Sequence, residues 1–209
     1  AGFYEGETAN LIVAEMKRGN GIISLGDLKN YKAKPRTPQT FNYKGYKIVG
    51  MGMPSSGGLL MAQMMKMIEG RGIDKMGFHS VQAVQLMTEV QRRAYADRAE
   101  YMGDADHYNV PVEMLASDKY LKERMKSYKS DKATPSTEIK PRIDIDVESE
   151  ETTHLSVIDK EGNAISVTTT LNGGYGSKTV IGGAGFFLNN EMDDFSIKPG
   201  VPNMFGAVG

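Results

Sequence analysis

Between Val147 and Gly176 the chain reads VESEETTHLSVIDKEGNAISVTTTLNGGYG, a concentration of hydroxyl side chains directly behind an acidic stretch. A hydroxyl is a weak nucleophile unless a base sits beside it. A serine–histidine–acid arrangement would have to use His154, which lies only two residues along the same segment. The other histidines, His79 and His107, are distant in sequence. A second solution is a threonine whose own α-amine serves as the base. That amine has a pKa near 8 and is covalently tethered to the hydroxyl it must deprotonate. Thr152 would then have to become the first residue of a chain, through cleavage of the Glu151–Thr152 bond.

The spacing supports a geometric partner for it. Asp159–Asn163 (DKEGN) offers a five-residue loop whose Gly and Asn tolerate positive φ. If Ile158 pairs with Ala164 across that loop, Thr152 falls directly opposite Thr170. Opposed residues share a sheet face with Cβ atoms roughly 5 Å apart, within reach of a hydroxyl–hydroxyl bond. A slip of one residue would send one hydroxyl to the other face. The ordinary reading is that Thr is simply a favoured strand residue, and on composition and spacing alone it carries more weight.

The elements that would position these residues follow from periodicity. Residues 7–18 carry Leu11, Ile12 and Met16 at helical spacing and end at Gly19, expected at C′. SLGDL at 24–28 reads as a capped short helix. FNYKGYKIVGM, from Phe41, alternates around a Lys-Gly turn and reads as a hairpin. Ser55 and Ser56 in MPSSGG are expected as N-caps, with an anion site at the Gly-rich helix start as the functional alternative. The helix behind them spans about Gly58 to Glu69, and its methionines (Met61, Met64, Met65, Met67) are expected to fill core. Ser80 caps a long helix to about Tyr101, and Ser117 divides the helical stretch PVEMLASDKYLKERMKSY. Residues 130–151 read as a polar linker or exposed loop. Beyond it strands are expected at 152–158, 164–170 and about 179–188. The fold class is α+β, with helices mainly before residue 130 and antiparallel strands after 151.

Bulk properties narrow the function. The chain has 209 residues, a net charge of −1 and no Cys. Near-neutral charge offers no electrostatic case for nucleic acid or anionic lipid. No apolar run approaches a membrane span. Without Cys, and with three scattered His and no HExxH spacing, no metal is expected. The start, AGFYEGE, lacks the basic-then-apolar pattern of a signal peptide.

At these residues the chain resembles the γ-glutamyltranspeptidases (γ-glutamyltransferases, glutathione hydrolases), N-terminal-nucleophile hydrolases that cut themselves before the first Thr of TTH. TTHLSVIDKEGNAISVTTTLN and FFLNNEMDDFSIKPGVPN are similar to the start of their small subunit. YKGYKIVGMGMPSSGG, AYADRAEYMGD and STEIKP are similar to the end of their large subunit. The resemblance covers essentially the whole chain. It implies residues 1–151 as the C-terminal part of the large subunit, residues 152–209 as the N-terminal part of the small catalytic subunit, and a partial four-layer αββα fold. Thr152 would be the autoprocessing residue and nucleophile, with Thr170 hydrogen-bonded to it. Asn172 would contact the glutamyl end of the donor, while Glu191 and Asp194 hold its α-ammonium. An ammonium has three donors and suits acidic acceptors; without the family, EMDD reads as an acidic turn in solvent. Asp193 is expected as a structural neighbour and Phe205 in PGVPNMF as a lid residue.

The implied reaction is hydrolysis or transfer of the γ-glutamyl group of glutathione and related compounds, through a γ-glutamyl-threonyl ester, with no metal or organic cofactor needed. Partners would be the donor, an acceptor amino acid, peptide or water, and the rest of both subunits. Location would be periplasmic or secreted, the family's habit. The family's upstream arginine, later serine pair and paired glycines fall outside this chain, so the piece by itself is expected to be inactive. The alternatives are an N-terminal-nucleophile amidase with another acyl donor, or an uncleaved non-catalytic module.

Overall fold

A computed structural model describes residues 2–139 and 152–195. In chain order the elements are helices α1 (Glu7–Gly19) and α2 (Leu25–Asn30), strands β1 (Gln39–Tyr43) and β2 (Tyr46–Gly50), and helices α3 (Gly57–Ile68) and α4 (Val81–Tyr101). Helices α5 (Val112–Leu115) and α6 (Asp118–Arg124) follow, then strands β3 (Thr152–Ile158) and β4 (Ala164–Thr170). Short 3₁₀ turns occupy Ile73–Lys75 and Glu191–Asp194. The architecture is α+β, and among the described residues no helix is long and apolar enough to cross a membrane. The chain divides into two compact units, one made of residues 1–33 and 145–209, the other of residues 34–144. The first helices group with the Thr-rich strands.

In the unit of residues 34–144, β1 and β2 pair antiparallel, Gln39 opposite Gly50 and Tyr43 opposite Tyr46. Lys44 and Gly45 both take positive φ (48° and 86°), the conformation a two-residue hairpin loop demands. The hairpin packs against α3 through glycine: a Cβ at Gly58 would overlap the Met51 carbonyl oxygen. Leu60 and Met67 of α3, Leu86, Val90 and Ala94 of α4, and Leu121 and Met125 form the core. Met64 packs onto it, whereas Met61 faces outward, so the expected methionine filling holds for part of the helix only. Ser80 and Ser117 cap α4 and α6 as their positions suggest, accepting from Ala83 N and Tyr120 N. Ser56 departs from expectation. It occupies the N-cap of α3 with helical torsions and makes no capping bond; its hydroxyl accepts from Arg98 Nε at 3.2 Å.

Two buried polar networks lock α4 in place. Asp97, fully buried, accepts from Gln63 Nε2 (2.9 Å) and Tyr120 Oη (2.8 Å), with Arg124 Nε 3.0 Å away. Burial pushes the Asp97 carboxyl above its usual value, and burial with the neighbouring Asp97 charge pushes Tyr120 up. About two turns earlier, buried Glu89 pairs with Arg93 and accepts from Thr134 N (2.9 Å) and Thr134 Oγ1 (2.6 Å). Most described residues of the expected linker from residue 130 are exposed, but Thr134 and Ile139 are buried. A short polar residue preceded by charges reads as solvent-facing, but a buried carboxylate needs donors, and Thr134 supplies two. The remainder of that expected linker, residues 140–151, lies outside the described residues, as does Phe205.

In the unit of residues 1–33 and 145–209, Ile12 and Met16 of α1 pack with Ile181, flanked by Leu28, Phe186 and Leu188. The left-handed residue ending α1 is Asn20 (φ 55°), one position after the expected Gly19, which is still helical. Ser24 and Asp27 form a reciprocal capping box on α2. The third strand expected at 179–188 does not form; the segment makes one isolated bridge, Val180 with Phe187, around a Gly-rich turn. Gly183 and Gly185 have positive φ (82° and 74°), which closes the loop before a ladder can extend.

Burial predicts that Glu89→Gln costs about 3 kcal/mol, since it strips a buried pair of its charge, and Thr134→Val about 2 kcal/mol. Burial alone would raise the Glu89 pKa, but the Thr134 hydroxyl, Arg93 and the Thr134 amide hold it below the ordinary value. A lowered carboxyl pKa stabilises above the unfolded-state value and is lost as pH falls through the folded one. Urea unfolding of the complete protein should therefore show the wild-type advantage over Glu89→Gln at neutral pH, shrinking in acid.

Candidate active site

Strands β3 and β4 pair with Ile158 opposite Ala164 and Thr152 opposite Thr170, the register expected from the loop length. Asp159 sets the turn: its carboxylate accepts from the Asn163 amide and side chain, both at 2.8 Å, and Gly162 takes φ 85°. Because side chains alternate, one face carries Thr152, His154, Ser156 and Ile158 against Thr170, Thr168, Ser166 and Ala164. The opposite face carries Leu155, Val157, Val167 and Ile165. Thr152 therefore stands at the end of a row of hydroxyls.

His154 sits in the middle of that row, which the sequence reading missed. Its Nδ1 lies 2.7 Å from Thr168 Oγ1, and its Nε2 lies 3.0 Å from Ser166 Oγ and 3.2 Å from Ser156 Oγ. Hydroxyls both donate and accept, so they suit either tautomer of the ring. The signal was available: the register that opposes Thr152 to Thr170 also opposes His154 to Thr168 and Ser156 to Ser166.

Past the end of β4 the other candidate residues are joined by hydrogen bonds. Thr170 Oγ1 accepts from Asn172 N at 2.9 Å. Asn172 is buried and takes φ 72°, a conformation Asn tolerates better than most side chains. Its Nδ2 donates to the Asn190 carbonyl at 3.1 Å. Asn190 in turn precedes the 3₁₀ turn Glu191–Asp194. The structure thus ties Thr170, Asn172 and the acidic turn into one connected stretch. Partial desolvation, and then the charge of Asp194, push the Glu191 pKa up. Two like charges sharing a turn favour a cation between them. Asp193 donates its amide to the Asn190 carbonyl (2.9 Å), a turn-forming contact.

A family model described as gamma-glutamyltranspeptidase matches residues 1–209. The chain belongs to the gamma-glutamyltranspeptidase family. It is 46% identical over 207 residues to the glutathione hydrolase proenzyme of Escherichia coli (strain K12), covering 99% of this chain and 36% of that protein. It is 36% identical over 197 residues to the acylase ACY 1 proenzyme of Pseudomonas sp. (strain SE83), covering 94% of this chain and 35% of that protein. Among solved structures it is similar to Helicobacter pylori gamma-glutamyltranspeptidase, with TM-score 0.63 and 41% identity over 67% of this chain and 40% of the other. The cephalosporin acylase of Bacillus halodurans gives TM-score 0.71 and 25% identity over 95% of this chain and 34% of the other. The chain spans about a third of the length of the curated relatives it matches.

Within this gamma-glutamyltranspeptidase segment the turn after Asn172 has one steric requirement. Gly176 takes φ 53°, and a Cβ there would overlap the Leu188 carbonyl oxygen, which accepts from Ser177 N at 2.9 Å. Gly176→Ala should lower stability by about 2 kcal/mol or more and expose the Ser177 amide. Hydrogen exchange on the complete protein reads this as faster exchange at Ser177 than in wild type.

Proposed function

We propose that the complete protein hydrolyses or transfers the γ-glutamyl group of glutathione and similar compounds. The observation that carries the reading is the opposition of Thr152 and Thr170 at the open end of the hydroxyl face, in a chain that belongs to this family over its whole length. Cleavage of Glu151–Thr152 frees the Thr152 α-amine. Residues 1–151 are then the end of a large subunit and residues 152–209 the start of a small one, together part of a four-layer αββα sandwich. The amine accepts the Thr152 hydroxyl proton as Oγ attacks the γ-carbonyl, and Thr170 orients the attacking oxygen. The C–N bond breaks and the proton passes to the departing amine. A γ-glutamyl-threonyl ester remains, and water, an amino acid or a peptide resolves it. Two-step transfer of this kind gives ping-pong kinetics.

Glu191 and Asp194 hold the donor α-ammonium in this reading. Support comes from Glu191, whose pKa is raised by partial desolvation and then by the charge of Asp194, a repulsion that a bound cation relieves. Asn172 contacts the glutamyl end of the donor in the same reading, held in place by its Nδ2 donating to the Asn190 carbonyl. A periplasmic or secreted location fits family habit. The amidase alternative has support from the acylase relatives, but an acidic pair facing the donor favours substrates with an α-amino group.

Thr152→Ala should leave the complete polypeptide uncut and lower turnover at least about 1000-fold, whereas Thr152→Ser, which keeps the oxygen, should cut. Intact mass before and after incubation decides between one chain and two. The acidic pair adds a pH signature. Ammonium binding needs ionised Glu191, so affinity is present above its raised pKa and lost as pH falls through it. Steady-state KM for a γ-glutamyl anilide should rise between about pH 7 and about pH 4, starting at a higher pH than an ordinary glutamate would give.

A further inference from the structure

The geometry points to Asn190 as a positioning residue that sets the ammonium specificity of the donor site. This rests on the acyl-transfer reading above and adds a residue to it. Three polar groups of Asn190 reach three different places. Its amide donates to the Leu171 carbonyl at 3.1 Å, and its Oδ1 accepts from Gly173 N at 2.9 Å. Its carbonyl accepts both from Asn172 Nδ2 (3.1 Å) and from Asp193 N (2.9 Å). The last pair is the telling one: a single oxygen is shared by the side chain that follows Thr170 and by the backbone of the acidic turn.

Neighbouring contacts hold the same junction. Asn189 Oδ1 accepts from Glu191 N at 3.0 Å, and the Leu188 carbonyl accepts from Ser177 N. The paired asparagines therefore divide the work. Asn189 fixes the start of the acidic turn, and Asn190 fixes where that turn stands relative to the end of β4. If Asn190 loses its side-chain oxygen, the Gly173 amide loses its acceptor and the clip is weakened on one side. Glu191 and Asp194 then keep their charges but lose their placement. The chemistry at Thr152 does not use Asn190, so turnover of bound acyl groups should change less than binding of the donor.

The test uses the complete, processed protein with two anilide donors: γ-glutamyl-p-nitroanilide, and glutaryl-p-nitroanilide, which lacks the α-amino group. Asn190→Ala should raise KM for the γ-glutamyl donor about tenfold with kcat changed less than about threefold, while KM for the glutaryl donor moves less than about twofold. Preference for the α-amino donor then falls about tenfold. Asn190→Asp retains an oxygen that can accept from Gly173 N, and it should restore the preference to within about threefold of wild type. Equal losses on both donors in Asn190→Ala would overturn the inference, because they would mark a merely structural role. So would an Asn190→Asp enzyme without preference, a result that stands even if Asn190→Ala fails to mature. A wild type indifferent to the α-amino group would instead overturn the ammonium reading beneath it.

Discussion

The pairing of β3 with β4 is the constraint from which the candidate site follows. A β-ribbon has only two side-chain phases, so fixing Ile158 opposite Ala164 fixes every other residue on both strands. Thr152 then has Thr170 across from it, and the hydroxyls of Ser156, Ser166 and Thr168 have the imidazole of His154 among them. The loop that sets this phase is held by one carboxylate, Asp159, accepting twice from Asn163. A local turn thus decides the geometry of groups six and seven residues away.

The second half of the candidate site is built differently. Glu191 and Asp194 lie on a turn too short to position itself, and its location comes from hydrogen bonds to the chain just after β4. Register places the candidate nucleophile Thr152, whereas loop-to-loop bonding places the candidate acidic pair. The two devices meet at Thr170 and Asn172, where the strand ends and a hydroxyl accepts from the amide two residues on.

Much of this was legible in the sequence, and the residues show why. Lys44-Gly45, Ser80, Ser117 and Asp159–Asn163 announce their elements because caps and tight turns are decided within a few residues. The opposed threonines were legible for the same reason, since loop length fixes register. What escaped depends on partners far along the chain. Thr134 looks like linker because its partners, Glu89 and Arg93, come some 40 residues earlier. Asn190 looks like ordinary turn chemistry because its role is to reach back to residues 171–173. The strand anticipated at 179–188 had suitable residues, but glycines at positive φ close it into a loop. His154 was weighed only as a triad member and so its hydroxyl neighbours went unnoticed.

The β3–β4 ribbon shows Leu155, Val157 and Ile165 each about half exposed, and it has no third strand among the described residues. Two strands alone are marginal in water, and a greasy ribbon with bare flanks is a template for other chains. Handling this segment apart from whatever sheathes it would invite clumping rather than a tidy monomer. Solubility during recombinant production therefore depends on keeping that ribbon covered.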